Sequence, residues 1–223
     1  MKDRLFTSLA ILAFSASFAF AQESPRGSFA IIGGLNLQNL TGKAYNGDRL
    51  NNDLYTGYHI GINAQMPIAS KLYFQPGLLF STKGAKTSGE LSNSTTTINY
   101  LEMPLNFVYK TPCGSGYFMV GVGPYLAYGI GGKVKTTSNA LTIEHNIEFK
   151  NVVGTNDPLD VPFYKAFDAG ANALVGYEAA SGLFLQLNMQ LGLTKINSEY
   201  SDFPDDKTAV KNTGFGLSAG YRF

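Results

Sequence analysis

The stretch LFLQLNMQLGLT, residues 183–194, alternates between large apolar side chains and side chains that are mostly polar or small. Its odd-numbered positions are five leucines and one methionine, whereas the even-numbered positions after Phe184 are amides, a glycine and a threonine. Because successive side chains of a β-strand point to opposite faces, this period of two predicts a strand with one fully apolar face. At about ten residues, such a strand is long enough to cross a bilayer when it is tilted.

The same alternation recurs along the chain, with apolar residues on one parity and mainly Gly, Asn, Gln or Ser on the other. The other alternating segments are residues 28–38, 56–66, 71–81, 100–110, 117–131, 167–178 and 212–223. Together with residues 183–194, these segments predict about eight strands.

The connections between these segments alternate in length. Residues 67–70, 111–116 and 179–182 are short turns, and residues 39–55, 83–96, 131–165 and 196–211 are long polar loops. Short turns at one end and long loops at the other are typical of transmembrane barrels, whose short turns face the periplasm. The sequence therefore predicts an all-β fold, namely a closed antiparallel eight-stranded transmembrane β-barrel with short periplasmic turns and long extracellular loops.

A soluble eight-stranded barrel of the lipocalin kind is the alternative, because its apolar face points inward and its polar face contacts water. A water-exposed exterior normally carries many charges. The polar parity of these segments carries few Lys and Glu residues and many small ones. That composition suits a narrow, packed interior, so the membrane barrel is favoured.

The N-terminus predicts export. A charged start, Met1 to Arg4, precedes an apolar run at residues 5–20, and Ala19 and Ala21 form an A-x-A cleavage site. A transmembrane anchor helix is the alternative, but the run is shorter than the roughly 20 residues that a span needs. We expect a secretory signal peptide at residues 1–21, a barrel domain at residues 22–223, and location in the cell outer membrane.

Composition excludes several classes of function. The chain has 17 Lys and Arg against 16 Asp and Glu, which leaves no basic footprint for nucleic acid. Cys113 is the single cysteine, so no internal disulfide is expected. Neither of the two histidines lies at a recognisable spacing from a serine nucleophile, and no metal motif is present. We expect no catalysis, no cofactor and no metal.

Six charged or titratable residues fall on the parity that faces the lumen: Glu102, Asp168, Glu178, Arg222, His59 and Lys110. A buried charge costs several kcal/mol unless it is paired, and eight strands leave an interior just wide enough for side chains. We interpret the six residues as a structural salt-bridge network that fills the lumen, with a polar path or gate as the alternative. One of the three carboxylates is expected to neutralise Arg222.

The last residues, GLSAGYRF, place Tyr221 and Phe223 on the lipid-facing parity at the periplasmic aromatic girdle. A terminal Phe after alternating apolar residues resembles the C-terminal signal that the barrel assembly machinery recognises. Because the sequence stops with this strand, no periplasmic domain is expected. At the other end of the barrel, residues 141–150 are expected to extend a hairpin beyond the membrane, and Phe163, Tyr164 and Phe167 to form the outer aromatic girdle.

Four stretches carry a family resemblance: LYFQPGLLFSTKG (72–84), NYLEMPLNFVYK (99–110), GYFMVGVGPYLAYGIGGK (116–133) and GYRF (220–223). They resemble the PorT-like outer-membrane β-barrel domain proteins over residues 28–223, which is nearly the whole mature chain. The resemblance implies the same barrel fold, and most members have no assigned activity. A link to secretion machinery is implied for the founding member alone.

Two functions remain open at this point. The first is a structural or surface-binding role through the extracellular loops, with outer-membrane lipid, the barrel assembly machinery and an unidentified extracellular ligand or envelope protein as partners. The second is a narrow pore for small solutes or ions, or a barrel component of an envelope secretion or assembly machinery.

Overall fold

The computed structural model of the protein describes residues 27–89, 92–138, 141–158, 160–203 and 206–223. The expected signal peptide, with its cleavage residues Ala19 and Ala21, lies outside these ranges. Within them, no helix is long and apolar enough to cross a membrane.

The described residues form strands joined by turns and loops. In chain order the strands are β1 (Ser28–Lys43), β2 (Asp53–Ala69), β3 (Leu72–Ser88), β4 (Asn93–Cys113), β5 (Gly116–Ser138), β6 (Leu141–Asn146), β7 (Glu148–Phe149), β8 (Val152–Val153), β9 (Phe163–Tyr164), β10 (Phe167–Ala179), β11 (Leu183–Gly192), β12 (Glu199–Tyr200) and β13 (Ala209–Arg222). Eight of them, β1 to β5 with β10, β11 and β13, form one antiparallel ring. The predicted eight-stranded barrel is confirmed.

Two seams close the ring. The first strand pairs with the last, from Ala30 opposite Arg222 to Lys43 opposite Ala209. The lower part of β5 pairs with β10, and its upper part pairs with β6 instead, so that the β5–β6 hairpin rises above the ring as expected. Closure leaves no unpaired strand edge at the depth where lipid would offer no hydrogen-bond partner.

The outer wall of the barrel is apolar and exposed. On β11, Leu183, Leu185 and Leu187 are each close to 60% exposed, whereas Phe184 between them is 3% exposed. Leucine side chains at this exposure in a continuous belt are stable against hydrocarbon and not against water. The belt therefore identifies the lipid-facing surface.

The interior is layered. Near the short turns lies an apolar cluster of Ala30, Ile32, Val108, Met119, Leu174 and Phe184. Near the long loops lies a second apolar cluster of Leu40, Ala85, Ile98, Tyr100, Tyr125, Ala127, Ile147 and Ile196. Polar and charged side chains occupy the levels between and below these clusters.

The predicted bounds of the second long loop are wrong. Residues 83–96 were expected to be a loop, but β3 continues to Ser88 and β4 begins at Asn93. The alternation of large apolar residues stops where the strands leave the membrane, because the outward face then contacts water. Backbone pairing continues for several residues beyond that level, and Lys83 consequently lies inside the barrel.

The outer aromatic girdle is also different from expectation. Phe167 is 51% exposed on the outer wall, but Phe163 is only 6% exposed. The short strands β7 and β9 pair in parallel, with the amides of Glu148 and Lys150 donating to the carbonyls of Pro162 and Tyr164. This pairing folds the third long loop back over the barrel mouth, where Tyr164 packs against the upper apolar cluster and Phe163 is buried within the loop layer.

Candidate functional site

Three charged side chains meet at the periplasmic end of the lumen, and we call them the inner triad: Lys110, Glu178 and Arg222. The Lys110 ammonium lies 2.7 Å, and the Arg222 Nε 2.9 Å, from the same oxygen of Glu178, Oε2. Arg222 also donates from Nη1 to the side-chain oxygen of Asn63 at 3.2 Å. All three charged residues are under a tenth exposed. Two cations share one carboxylate, so the triad carries a net charge of about +1.

The second charged group lies deeper, towards the extracellular loops, and we call it the outer triad: Lys83, Glu102 and Asp168. The Lys83 ammonium lies 2.8 Å from Glu102 Oε2 and 3.5 Å from Asp168 Oδ2, and none of the three side chains is more than 1% exposed. The approach to Glu102 is ionic, because its direction does not suit a hydrogen bond. One cation faces two carboxylates, so this triad carries a net charge of about −1.

Aromatic rings and neutral donors surround the outer triad. The Lys83 ammonium lies 4.2 Å from the centroid of the Tyr125 ring, within range of a cation–π contact. Asp168 accepts hydrogen bonds from the Tyr125 hydroxyl at 3.1 Å, from Asn212 Nδ2 at 2.9 Å and from the Thr194 hydroxyl at 3.1 Å. These donors disperse the excess negative charge, which Lys83 alone does not neutralise.

His59 lies between the two triads and contacts neither. Its Nδ1 is 2.8 Å from the Asn36 side-chain oxygen, and its Nε2 is 2.9 Å from the Ser218 hydroxyl. An amide oxygen only accepts, so Nδ1 is the donor and Nε2 accepts from the hydroxyl. A neutral imidazole therefore has a hydrogen-bond partner for each of its two ring nitrogens.

A small cavity lies beside His59 on the axis of the barrel, with a volume of about 60 Å³. It is lined by amide side chains, and the side-chain oxygens of Gln38, Asn106 and Asn172 lack hydrogen-bond partners in the protein. A polar cavity of this size accommodates a few water molecules, each of which needs two to four polar partners. Its lining includes Ile32 and Leu174 of the apolar cluster near the short turns, and Glu102 of the outer triad.

Side chains from the long loops close the extracellular end of the lumen. Ile147 and Ile196 pack onto Tyr100 and Tyr125, and the partly buried Phe149 and Tyr164 pack against the same cluster. A Cβ atom on Gly129 would lie only 2.5 Å from the Phe149 ring, so the glycine permits this ring to approach the wall. The third and fourth long loops therefore form a plug inside the barrel mouth.

Ion pairs hold the loop layer together above the plug. Lys150 contacts Asp157 at 2.6 Å, and Lys165 contacts Glu199 at 2.6 Å. The hydrogen bond from Lys150, followed by one from the Gly154 amide, lowers the pKa of Asp157, and the bond from Lys165 lowers the pKa of Glu199. A carboxyl whose pKa is lowered by folding stabilises the folded loops at neutral pH, and that stabilisation is lost as the pH falls through the carboxyl range.

No group of three or more His, Cys, Asp or Glu residues that could hold a metal ion occurs among the described residues.

Of the six lumen residues named from the sequence, the structure brings Lys110, Glu178 and Arg222 together in one group and Glu102 and Asp168 in another. His59 is separate from both. Lys83 was missed, although it shares the inward parity of Gln75, Gly77, Leu79 and Ser81 on β3. Extending the alternation by one more step would have found it.

Residues 20–198 match the family model described as the outer membrane protein beta-barrel domain. The chain belongs to this family. As a member of the outer membrane protein beta-barrel domain family, it is a small outer-membrane β-barrel protein. No curated protein sequence matches the chain.

Solved structures of two bacterial barrels are similar to the chain. The attachment invasion locus protein Ail of Yersinia pestis is 13% identical with a TM-score of 0.43, and the same protein in complex with the heparin analogue sucrose octasulfate is 14% identical with a TM-score of 0.42. The N-terminal β-barrel domain of Pseudomonas aeruginosa OprF is 11% identical with a TM-score of 0.33. Each alignment covers 89% of this chain and 100% of the other chain.

The shared carboxylate of the inner triad generates the first prediction. Glu178→Gln leaves two buried cations facing each other, and we expect a loss of about 3–5 kcal/mol in the free energy of unfolding, reduced where water enters the mouth. Arg222→Ala leaves the Lys110–Glu178 pair intact and should cost less. Urea titration of the folded band on unheated gels measures both losses, with Lys71→Met at an exposed turn as control.

Adding Lys110→Met to Glu178→Gln should recover part of that loss, because it removes one of the two unpaired cations. Adding Glu178→Gln to Arg222→Ala should recover nothing, because Lys110 would then be unpaired. A greater loss from Arg222→Ala than from Glu178→Gln would contradict the shared-carboxylate arrangement.

The outer triad generates the second prediction. Lys83→Met leaves two carboxylates buried without a cation, and we expect it to destabilise the barrel at least as much as Glu178→Gln, because the outer triad is more deeply buried. Adding Glu102→Gln should restore part of the loss, since Asp168 keeps three neutral donors. Lys86→Met, at an exposed position of the same strand, is the matched control for the same urea titration. Equal stability of Lys83→Met and Lys86→Met would show that the outer triad contributes nothing.

Proposed function

We propose that this outer-membrane barrel acts by binding at the cell surface through its extracellular loops, and that it has no catalytic activity. The filled lumen is the observation that carries the proposal. Two apolar clusters, two charged triads and the loop plug occupy the interior, which among the described residues leaves only the cavity of about 60 Å³ beside His59. The loop layer is then the surface through which the molecule can meet a soluble ligand or an envelope protein.

An exposed aromatic cluster in the loop layer supports a binding role. Tyr45, Tyr200 and Phe203 are 58%, 38% and 54% exposed. The Phe203 ring centroid lies 6.3 Å from that of Tyr45 and 6.5 Å from that of Tyr200, both in edge-to-face geometry. The three rings belong to the first and fourth long loops, beyond the lipid-facing belt. Exposed aromatic side chains held on a rigid scaffold commonly anchor a partner.

The binding proposal predicts that the rings carry the affinity. The triple change Tyr45→Ser, Tyr200→Ser and Phe203→Ser should weaken binding more than about tenfold, as loss of an interface anchor does. Reconstituted protein is tested against a panel of purified surface polysaccharides and envelope proteins. Leu141→Ser with Ile143→Ser, exposed on the β5–β6 hairpin, is the matched control. The proposal is contradicted if every member of the panel binds the wild type and the aromatic variant with the same affinity.

The contacts of the titratable lumen residues support a non-catalytic role. Both ring nitrogens of His59 are engaged by Asn36 and Ser218, and the two outer-triad carboxylates are engaged by Lys83. Ser218, the hydroxyl partner of His59, is fully buried, also accepts a hydrogen bond from Asn188, and adjoins only a cavity of about 60 Å³, which is too small for a substrate. A structural role of the six lumen residues is accordingly the interpretation that we propose.

The filled lumen also predicts low conductance. Purified protein in planar bilayers should give no steady ion current, because the plug and both apolar clusters exclude a continuous water path. Removing the plug contact by Phe149→Ala should leave the current unchanged, since the lower cluster still closes the lumen. Steady single-channel conductance of the wild type would instead favour a narrow pore.

Three finer assignments belong to the same proposal. We propose that residues 1–21 are a cleaved signal peptide and residues 22–223 the mature barrel domain, which the intact mass of the protein from outer membranes tests. The YLEMP, GVGPY and GYRF stretches favour membership of the PorT-like group, but no described residue supports a role in secretion.

Tyr221 and Phe223 point outward with ring centroids 5.0 Å apart, and we propose that the barrel assembly machinery recognises them. Phe223→Ser should then lower the folded fraction in cells.

A further inference from the structure

Three lysines form a row on the outer wall, two to six residues beyond the end of the lipid-facing belt on each strand: Lys43 of β1, Lys195 after β11 and Lys211 of β13. On their strands the apolar belt ends at Leu37, Leu193 and Phe215, all of which are more than 40% exposed. The strands β11, β13 and β1 are neighbours in the ring, and Lys43 lies opposite Ala209, two residues along β13 from Lys211.

The register and the burial of neighbouring residues give the outward direction of Lys211 and Lys195. Lys211 is opposite Thr41, and the hydroxyls of Thr41 and Thr213 lie 3.0 Å apart on the same outer face. The neighbours of two lysines in sequence point inward, since Asn212 and Ile196 are each no more than 1% exposed. Alternation along the strand therefore turns Lys211 and Lys195 outward.

The row lacks counter-charges. Among the described residues, no carboxylate lies within 4.0 Å of Lys43, Lys195 or Lys211. Elsewhere in the loop layer, Lys133 and Lys135 share Glu144, and Lys165 pairs with Glu199.

The acidic residues near the row are engaged elsewhere. Asp48 accepts a hydrogen bond from Asn46 at 2.6 Å, and Asp206 accepts two from Thr208. Glu199 pairs with Lys165 at 2.6 Å, and the charge of Lys195 makes a smaller contribution to the lowered pKa of Glu199. The row is therefore a cationic strip that adjoins the membrane and makes no close ion pair among the described residues.

We propose that the lysine row binds the phosphate groups of anionic lipid in the outer leaflet. A lysine at the edge of a hydrocarbon belt extends its apolar stem along the wall and holds its ammonium at headgroup level. Lysines at a membrane surface attract anionic lipid by roughly 1 kcal/mol each, which is about fivefold in affinity. The occupant is thus a lipid with a phosphate headgroup, held on the β11–β13–β1 face and not around the whole barrel.

Native mass spectrometry of the mature protein tests the proposal, in micelles containing equal amounts of phosphatidic acid and phosphatidylcholine. The wild type should retain phosphatidic acid preferentially. The triple change Lys43→Gln, Lys195→Gln and Lys211→Gln should lower the ratio of bound phosphatidic acid to phosphatidylcholine, about fivefold for each lysine that contributes. High salt should lower the wild-type ratio as well, because surface attraction is screened.

Lys133→Gln with Lys135→Gln is the matched control, because these lysines lie in the same loop layer but already have a partner in Glu144. The control should keep the wild-type ratio. Equal ratios for the wild type and the triple variant overturn the proposal, as does an equal loss in the control. Displacement of phosphatidic acid by inorganic phosphate at constant ionic strength also overturns it, because the row would then be a site for small anions. If the triple variant does not fold, Lys195→Gln and Lys211→Gln are compared singly with the same control.

Discussion

The closure of the backbone hydrogen-bond ladder into a ring is the constraint on which the rest of this structure depends. Lipid offers no partner to an amide or a carbonyl, so every strand inside the membrane needs two neighbours. Eight strands satisfy this condition only as a narrow cylinder, whose interior is just wide enough for side chains. The apolar exterior, the layered interior and the inward turn of Arg222 all follow from that geometry.

The charges inside so narrow a lumen have to balance. They balance over the lumen as a whole, but not within the inner triad or the outer triad alone. The buried charged residues of the described chain are three cations and three carboxylates. The inner triad has one cation in excess and the outer triad one carboxylate in excess. Neutral donors around Asp168, and Asn63 beside Arg222, stabilise each excess locally. A substitution at either triad therefore changes the charge balance of the entire barrel.

The sequence predicted the barrel well and the space above it poorly, for one physical reason. Within the membrane, lipid forces large apolar residues onto one parity, so strands such as β11 are evident from residue types alone. Above the membrane both faces of a strand contact water or loops, and this constraint disappears. Lys83 was consequently assigned to a loop, and Phe163 was assigned to the lipid-facing girdle although it is buried. Which carboxylate meets Arg222 was equally open, because parity gives the face of a residue and not its height.

The seam between β1 and β13 has a consequence for the order of events during folding. The two strands that form it are separated in sequence by all the others, and their pairing extends from Ala30–Arg222 to Lys43–Ala209. Until β13 arrives, β1 presents an open edge that can recruit a strand from another chain. Contacts so distant in sequence form slowly, so closure at this seam is the natural last step of assembly. A chain interrupted before β13 would remain an open sheet, recognisable as unfinished by its free edge.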